Sequence, residues 1–300
     1  MKLRADFFMT TVKADMLSKA RRLSHLNVRH LGVLAVAVVL AGCQSTPDVV
    51  NPTTFQGTPI DQRVRDKSEV AKARTQLAAQ YIRERQLDAA KRQLETALEA
   101  DPRYAPAYDM MGVLLQTEGS PSNLAKADEF FRRSLSLDSQ SMQTRNNYGV
   151  YLSQTGREHE AVAQFKIAGA ALGYEGRTRA LENLGLSYLK IGNTAEAKEA
   201  FIRAVEANTG SAIARVELIN IFLAEGNSLI AKRLYDELVV MAGTRTLPAE
   251  VMLQGVKIAI MQGNRTQQQQ LAQKLLSTHP LSDEARRLKT WLSNPSQPLK

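Results

Sequence analysis

Apolar and small residues recur from residue 71 onward at spacings of three and four, and the whole arrangement repeats every 34 to 37 residues. Gly112 and Gly149 are 37 residues apart, Gly149 and Gly185 are 36 apart, and Ile219 follows 34 residues later. Within one repeat, a large apolar residue, a small residue and a second large residue fall at about i, i+1 and i+4, on one helical face. A turn with Gly or Asn follows, and then a second helical run. This period predicts helical hairpins stacked side by side.

Six such units are predicted, and most of them share two kinds of marker. They begin near Ala71, Ala105, Met142, Thr178, Ala212 and Pro248. The small residue of the first helix is expected to face a small residue of the second helix, which pairs Ala78, Gly112, Gly149 and Gly185 with Ala90, Ala127, Ala161 and Ala197. Large aromatic residues of the second helices are expected to pack between neighbouring units, namely Phe131, Phe165, Phe201 and Tyr235.

These positions and their spacing resemble the tetratricopeptide repeat signature. The resemblance implies an all-α fold, a right-handed α-solenoid of about six helix-turn-helix repeats over residues 63–281. Residues 282–300 are predicted to form a capping helix and tail, because the last repeat otherwise exposes its apolar side.

The N-terminal segment carries a different pattern. Residues 31–40 form an apolar stretch of ten preceded by basic residues, which is typical of a secretory signal peptide and too short to span a bilayer. The next residues, Leu40-Ala41-Gly42-Cys43, resemble the lipobox of bacterial lipoproteins, so residues 1–42 are expected to be removed and Cys43 to carry the lipid. The alternative is a core helix with an inert thiol at Cys43. The start codon is open between Met1 and Met16.

Residues 43–62 are predicted to be a tether, since they contain three prolines and follow neither a helical nor an alternating period. Gln44 follows the lipid-bearing cysteine where a retention signal usually places Asp, which by analogy with enterobacterial sorting indicates the periplasmic face of the outer membrane.

The net charge and the residue types argue against nucleic-acid binding, metal binding and catalysis. The chain has a formal charge of +9, but residues 1–42 hold seven basic and two acidic groups. The rest keeps 39 − 7 = 32 basic and 30 − 2 = 28 acidic groups, a net +4, so we expect no nucleic-acid partner. One cysteine and four scattered histidines form no metal or catalytic motif. The sequence therefore predicts a protein without catalytic residues, metal or cofactor, not an enzyme.

In tetratricopeptide arrays the first helices line a concave groove that receives a segment of a partner protein. The groove residues predicted for the third and fourth units are Gln143, Asn146, Val150, Gln154, Arg179, Glu182, Leu186 and Lys190. Apolar residues among amide and charged groups suit the recognition of a peptide, whose backbone the amides can bond. The alternative is that these residues solvate one face or contact neighbouring helices.

Three segments are more particular than a generic repeat: residues 146–152, 160–165 and 180–186. With the lipobox, the tether and six repeats, they resemble the PilF/PilW family of type IV pilus pilotins. Members are outer-membrane lipoproteins that help the secretin reach the outer membrane and assemble into its pore. The resemblance implies a secretin subunit as partner and attachment to the outer membrane through the lipid, and we expect a monomer. A scaffold lipoprotein for β-barrel assembly, or for a cell-wall synthase or hydrolase, is the alternative.

Overall fold

The computed structural model describes residues 59–295 and residue 299. The predicted signal segment, Cys43 and the tether up to residue 58 lie outside the described residues. The described part consists of thirteen α-helices and contains no strand. They are α1 (Pro59–Arg83), α2 (Leu87–Ala100), α3 (Ala105–Glu118), α4 (Pro121–Leu137), α5 (Met142–Gln154), α6 (Glu158–Ala170), α7 (Arg177–Lys190), α8 (Thr194–Ala207), α9 (Ala212–Ala224), α10 (Ser228–Ala242), α11 (Ala249–Met261), α12 (Arg265–Thr278) and α13 (Asp283–Ser293).

The helices pair into six hairpins, from α1–α2 to α11–α12, and each hairpin packs on the next. Each odd-numbered helix up to α9 also contacts the next odd-numbered helix, whereas no two consecutive second helices of these hairpins meet in the described chain. A stack that touches along one set of helices and separates along the other curves toward the touching set. The first helices therefore form the inner face of an all-α solenoid of tetratricopeptide hairpins, which confirms the predicted fold class.

The first helix is longer than the period predicts. It spans 25 residues, whereas α3, α5 and α7 span 14, 13 and 14. It begins at Pro59, so the last four residues of the predicted tether, up to 62, are helical. Good helix formers such as Arg63, Lys67 and Glu69 continue the helix ahead of the first repeat marker, where no apolar period announces it.

Three glycines of the first helices face aromatic rings of their own second helices. A Cβ added at Gly149 would lie 2.5 Å from the Phe165 ring, and one at Gly185 would lie 2.5 Å from the Phe201 ring. Gly112 has the same relation to Phe131, at 2.9 Å. The partner is thus an aromatic ring and not the predicted alanine, because the missing Cβ leaves room for a flat side chain between the helices.

Aromatic packing between units is clearest at Phe131, as expected. Its ring centroid lies 5.5 Å from that of Tyr148 and 5.5 Å from that of Tyr151, both in the next hairpin. The hydroxyl of Tyr148 donates to Asp128 at 2.9 Å, and Arg157 pairs with the same carboxylate at 2.6 Å. The second and third units are therefore joined by rings inside and by an ion pair at the edge.

The turn inside each of the six described hairpins contains a residue in the left-handed backbone region. Five turns use glycine, as at Gly192 with φ of 77°, whereas the first hairpin places Arg85 there with φ of 63°. The glycines at 156, 192 and 226 agree with the turn containing Gly or Asn that the repeat pattern predicts after each first helix.

The C-terminal helix closes the solenoid. Ser282 caps α13 by accepting a hydrogen bond from the Ala285 amide. Leu288 is fully buried and belongs to a separate apolar cluster with Met252 and Leu275 of the last hairpin. The helix predicted as a cap therefore covers the end of the repeat core.

Candidate partner-binding groove

Two neighbouring rows of side chains run along the inner face. Residues of the first row lie three positions before the glycine that packs against the aromatic ring, and residues of the second row lie one position after it. The two positions are four residues apart, so they share a helix face. The first row is polar and consists of Asp109, Asn146 and Glu182. The second row is apolar and consists of Val113, Val150 and Leu186. The inner face thus offers a polar and an apolar strip side by side.

The polar row joins consecutive first helices through hydrogen bonds. Asn147 of α5 donates through Nδ2 to Oδ2 of Asp109 on α3 at 2.9 Å. Asn183 of α7 donates in the same way to Oδ1 of Asn146 at 3.1 Å. We call these contacts, with the 2.6 Å bond from the Ser211 hydroxyl to Glu182, the polar ladder. The polar ladder holds the first helices of the second to fifth units in a fixed position relative to one another.

Asn146 belongs to the ladder more than to an open groove. It is only 2% exposed and already accepts the bond from Asn183. Its burial agrees with the alternative that the sequence left open, contact with a neighbouring helix. Gln143, one turn earlier, is exposed and lies where a partner can reach it.

Val150 and Gln154 lie further along α5 and are both exposed, Val150 by 39%. Gln154 accepts a hydrogen bond from Nε2 of Gln116 at 2.8 Å, which links it to the unit before. Leu186, in the matching position on α7, is half-buried and packs against the apolar core. Val150 is therefore the apolar groove residue with the most surface to offer.

The charged groove residues differ in their surroundings. Arg179 is exposed, whereas Glu182 is half-buried, and burial raises the pKa of its carboxyl while the bond from Ser211 acts in the opposite direction. Lys190 pairs with Glu158 of α6 at 2.6 Å and donates to the hydroxyl of Ser153. Lys190 therefore ties α7 to the preceding hairpin, and Arg179 is the cation that faces solvent.

Two residues of this surface were missed from the sequence. Asp109 is 3% exposed, and burial raises the pKa of its carboxyl to about 7 although the bond from Asn147 opposes the rise. Tyr174, in the connector between α6 and α7, donates its hydroxyl to Oε1 of Gln143 at 3.1 Å. Asp109 shares the register of Asn146 ahead of its glycine, which could have revealed it. The connector has no period, so Tyr174 gave no signal.

Within residues 59–295 and residue 299, no group of three or more His, Cys, Asp or Glu side chains is placed to hold a metal ion. In the same part of the chain, every helix is too short or too polar to cross a bilayer.

Comparison with known proteins identifies the family. The tetratricopeptide repeat family model matches residues 178–210, which cover α7 and α8 except for the first residue of α7. The type IV pilus assembly protein PilF of Pseudomonas aeruginosa is 31% identical over 234 residues, 78% of this chain and 87% of the relative.

Two solved structures agree with that match. The structure of P. aeruginosa PilF aligns with a TM-score of 0.67 and 29% identity, over 75% of this chain and 99% of its own. PilW, described as a widely conserved type IV pilus biogenesis factor, aligns with a TM-score of 0.61 and 28% identity, over 74% of this chain and 98% of its own. The chain therefore belongs to the PilF/PilW family of tetratricopeptide type IV pilus biogenesis proteins.

Proposed function

We propose that this protein is a pilotin: a lipoprotein, attached to the periplasmic face of the outer membrane through Cys43, that binds the secretin subunit of the type IV pilus. It promotes the arrival of the secretin at the outer membrane and its multimerisation there. The observation that carries the proposal is the 31% identity to a type IV pilus assembly protein over most of both chains.

The inner face supports a role in holding a polypeptide. Exposed Gln143 and Gln154 offer amide donors and acceptors to a partner backbone, and exposed Val150 between them offers apolar surface. Arg179 adds a cation one unit further on. A segment of the secretin laid across α5 and α7 would meet all four side chains.

The lipid anchor and the groove have separate tasks in this proposal. Acylation of Cys43 fixes the protein to the membrane, since acyl chains add roughly 0.8 kcal/mol of binding for each buried CH₂. The groove brings the secretin to the same membrane. The protein then acts as an assembly factor with no turnover of its own.

A complementation experiment tests the two tasks separately. A strain lacking the gene receives the wild-type chain, Cys43→Ser, Val150→Glu or Ile167→Glu, and secretin multimers are quantified in fractionated membranes. Ile167 is the matched control, because it is a β-branched residue on the second helix α6 with 42% exposure, close to the 39% of Val150.

We expect wild type and Ile167→Glu to restore outer-membrane multimers. Cys43→Ser should leave the secretin mislocalised, and Val150→Glu should reduce the amount of secretin multimers in the outer-membrane fraction. Full restoration by Val150→Glu would rule out this part of the groove. Unchanged multimers in the deletion strain would overturn the pilotin proposal and leave the scaffold alternative.

A further inference from the structure

Asp109 stands out in the polar ladder because only half of its carboxylate is used. Oδ2 accepts the bond from Asn147, whereas Oδ1 is buried without a hydrogen-bond partner in the described structure. At the equivalent position of the next unit, Asn146 is a neutral amide that accepts the corresponding hydrogen bond from Asn183. An amide at residue 109 would make the same hydrogen bond without the cost of burying a charge. Packing of the helices alone therefore does not require a carboxylate at this position.

A chain of hydrogen bonds leads from the surface to this carboxylate, and every donor in it points inward. The Tyr174 hydroxyl donates to Oε1 of Gln143 at 3.1 Å, and Nε2 of Gln143 donates to Oδ1 of Asn147 at 2.9 Å. Asn147 then donates to Asp109. The chain holds one carboxylate oxygen in place and leaves the other as a fixed acceptor.

Positive charge is missing from the immediate surroundings. No salt bridge of Asp109 occurs in the described structure, and burial raises its pKa without a cation to oppose it. At the outer end of the chain, burial raises the pKa of the Tyr174 phenol, Arg179 lowers it and the Asp109 charge raises it. Arg179 therefore faces the phenol end of the chain and not the carboxylate.

We infer that Asp109, with Asn147, Gln143 and Tyr174, forms a pocket on the inner face that takes a Lys or Arg side chain of the bound polypeptide. This inference rests on the proposed role of the groove in holding a partner segment, and it adds the chemistry of that segment. A cationic donor satisfies Oδ1 and stabilises the ionised carboxylate in one contact, which a neutral donor does not.

Entry requires a neighbour to move, since Oδ1 is enclosed in the free protein. Tyr174 is the outermost member of the chain and lies on a connector, with its ring against Gly176. Rotation of its ring away from Gln143 breaks one hydrogen bond and leaves the bond between Asn147 and Asp109 intact. A rotation of this kind keeps the ladder bonded.

The test uses the full chain and a phage-displayed library of random nonapeptides as the probe. Peptides selected on the wild type are synthesised with Arg or with its neutral analogue citrulline, and their affinity is measured for four proteins: wild type, Asp109→Asn, Tyr174→Ala and Asp138→Asn. Asn at 109 keeps the acceptor for Asn147 and puts an NH₂ group where Oδ1 was. Asp138 is the control, an exposed aspartate at the end of α4 that undergoes the same change.

We expect the selected peptides to share a basic residue, and its change to citrulline to weaken binding to wild type about tenfold. Asp109→Asn should weaken binding of the Arg peptide by a similar factor and should bind the Arg and citrulline peptides with equal affinity. Asp138→Asn should leave both affinities unchanged, and Tyr174→Ala should bind at least as well as wild type.

Selection of peptides without a basic residue, no selection at all, or equal binding by Asp109→Asn would overturn the inference. Recovery of the secretin from membranes by tagged wild type is measured in parallel. Equal recovery of the secretin by Asp109→Asn and wild type would rule out the pocket and leave the pilotin proposal unaffected. Arg-dependent peptide binding without any secretin removes the pilotin proposal and leaves the pocket.

Discussion

Single side chains decide how closely the helices of a hairpin approach. Gly149 and Phe165 form one such contact, in which the surface of the glycine lies against the ring. The positions of both residues follow from the repeat pattern, but their contact does not. The pattern gives the helix face of each residue, whereas the contact depends on the relative shift of two helices, which side-chain volume decides.

Gly149→Ala should destabilise the protein by about 1–3 kcal/mol, because its Cβ would lie 2.5 Å from the buried Phe165 ring. Gly173→Ala is the control, since a Cβ there meets no atom within 4 Å and its φ is not in the left-handed region. Chemical denaturation of both variants measures the difference. Equal stabilities would show that the ring moves aside without cost.

Burial of Asp109 predicts a pH-dependent stability. Its pKa is raised to about 7, so the native state holds a proton that the unfolded chain releases near pH 4. The stability from this group is therefore fully present below about pH 4 and is lost as the pH rises through about 7.

Asp109→Asn should remove this dependence. The free energy of unfolding of wild type should fall relative to that of the variant between pH 4.5 and 8, by up to about 4 kcal/mol, because folding raises the pKa of Asp109 to about 7. Urea denaturation at several pH values measures both curves. Parallel curves would mean that the carboxyl is as easily ionised in the folded protein as in the unfolded chain.

At the scale of elements, the hairpin turns show why most helix boundaries could be predicted. Glycine or asparagine marks the turns at Gly156, Gly192 and Gly226, and their φ values confirm the prediction. The start of α1 could not be predicted, because residues 59–70 lie outside the repeat and carry no apolar period. The polar ladder was also hidden, since a side chain that bonds to the next unit has the same sequence signature as one that faces water.

Arg85→Gly should stabilise the first hairpin by roughly 0.5–1 kcal/mol, because Arg85 has φ of 63° where the other turns place glycine. The greater freedom of glycine in the unfolded chain offsets part of the gain. In the reciprocal change, Gly192→Ala, the added Cβ meets no atom within 4 Å, so only backbone strain is introduced. This variant should be less stable than wild type by about 1 kcal/mol. Thermal unfolding compares the two, and a lower melting temperature for Arg85→Gly would contradict the account.

At the scale of the molecule, the solenoid depends on its C-terminal cap. The last hairpin and α13 share an apolar cluster around Leu288. This cluster is separate from the larger core, which the preceding units form together with Val251 and Ile258 of α11. Each unit contacts only its neighbours, so loss of the cap is expected to open the end of the stack before the rest.

Leu288→Ala should cost about 2–5 kcal/mol of local stability, because Leu288 is fully buried. Leu292→Ala is the control on the same helix, where the side chain is 44% exposed. Amide hydrogen exchange should show faster exchange in α11, α12 and α13 of Leu288→Ala alone. Uniform acceleration along the whole chain would instead show that the solenoid unfolds as one unit.

The pilotin proposal joins the three scales, since it requires a lipid-anchored solenoid whose inner face retains the secretin. The most direct measurement is affinity purification of the tagged full chain from solubilised outer membranes, with bound proteins quantified by mass spectrometry. The account predicts the secretin as the dominant partner of wild type and Ile167→Glu, and its loss with Val150→Glu. Recovery of barrel-assembly or cell-wall proteins without the secretin would contradict it.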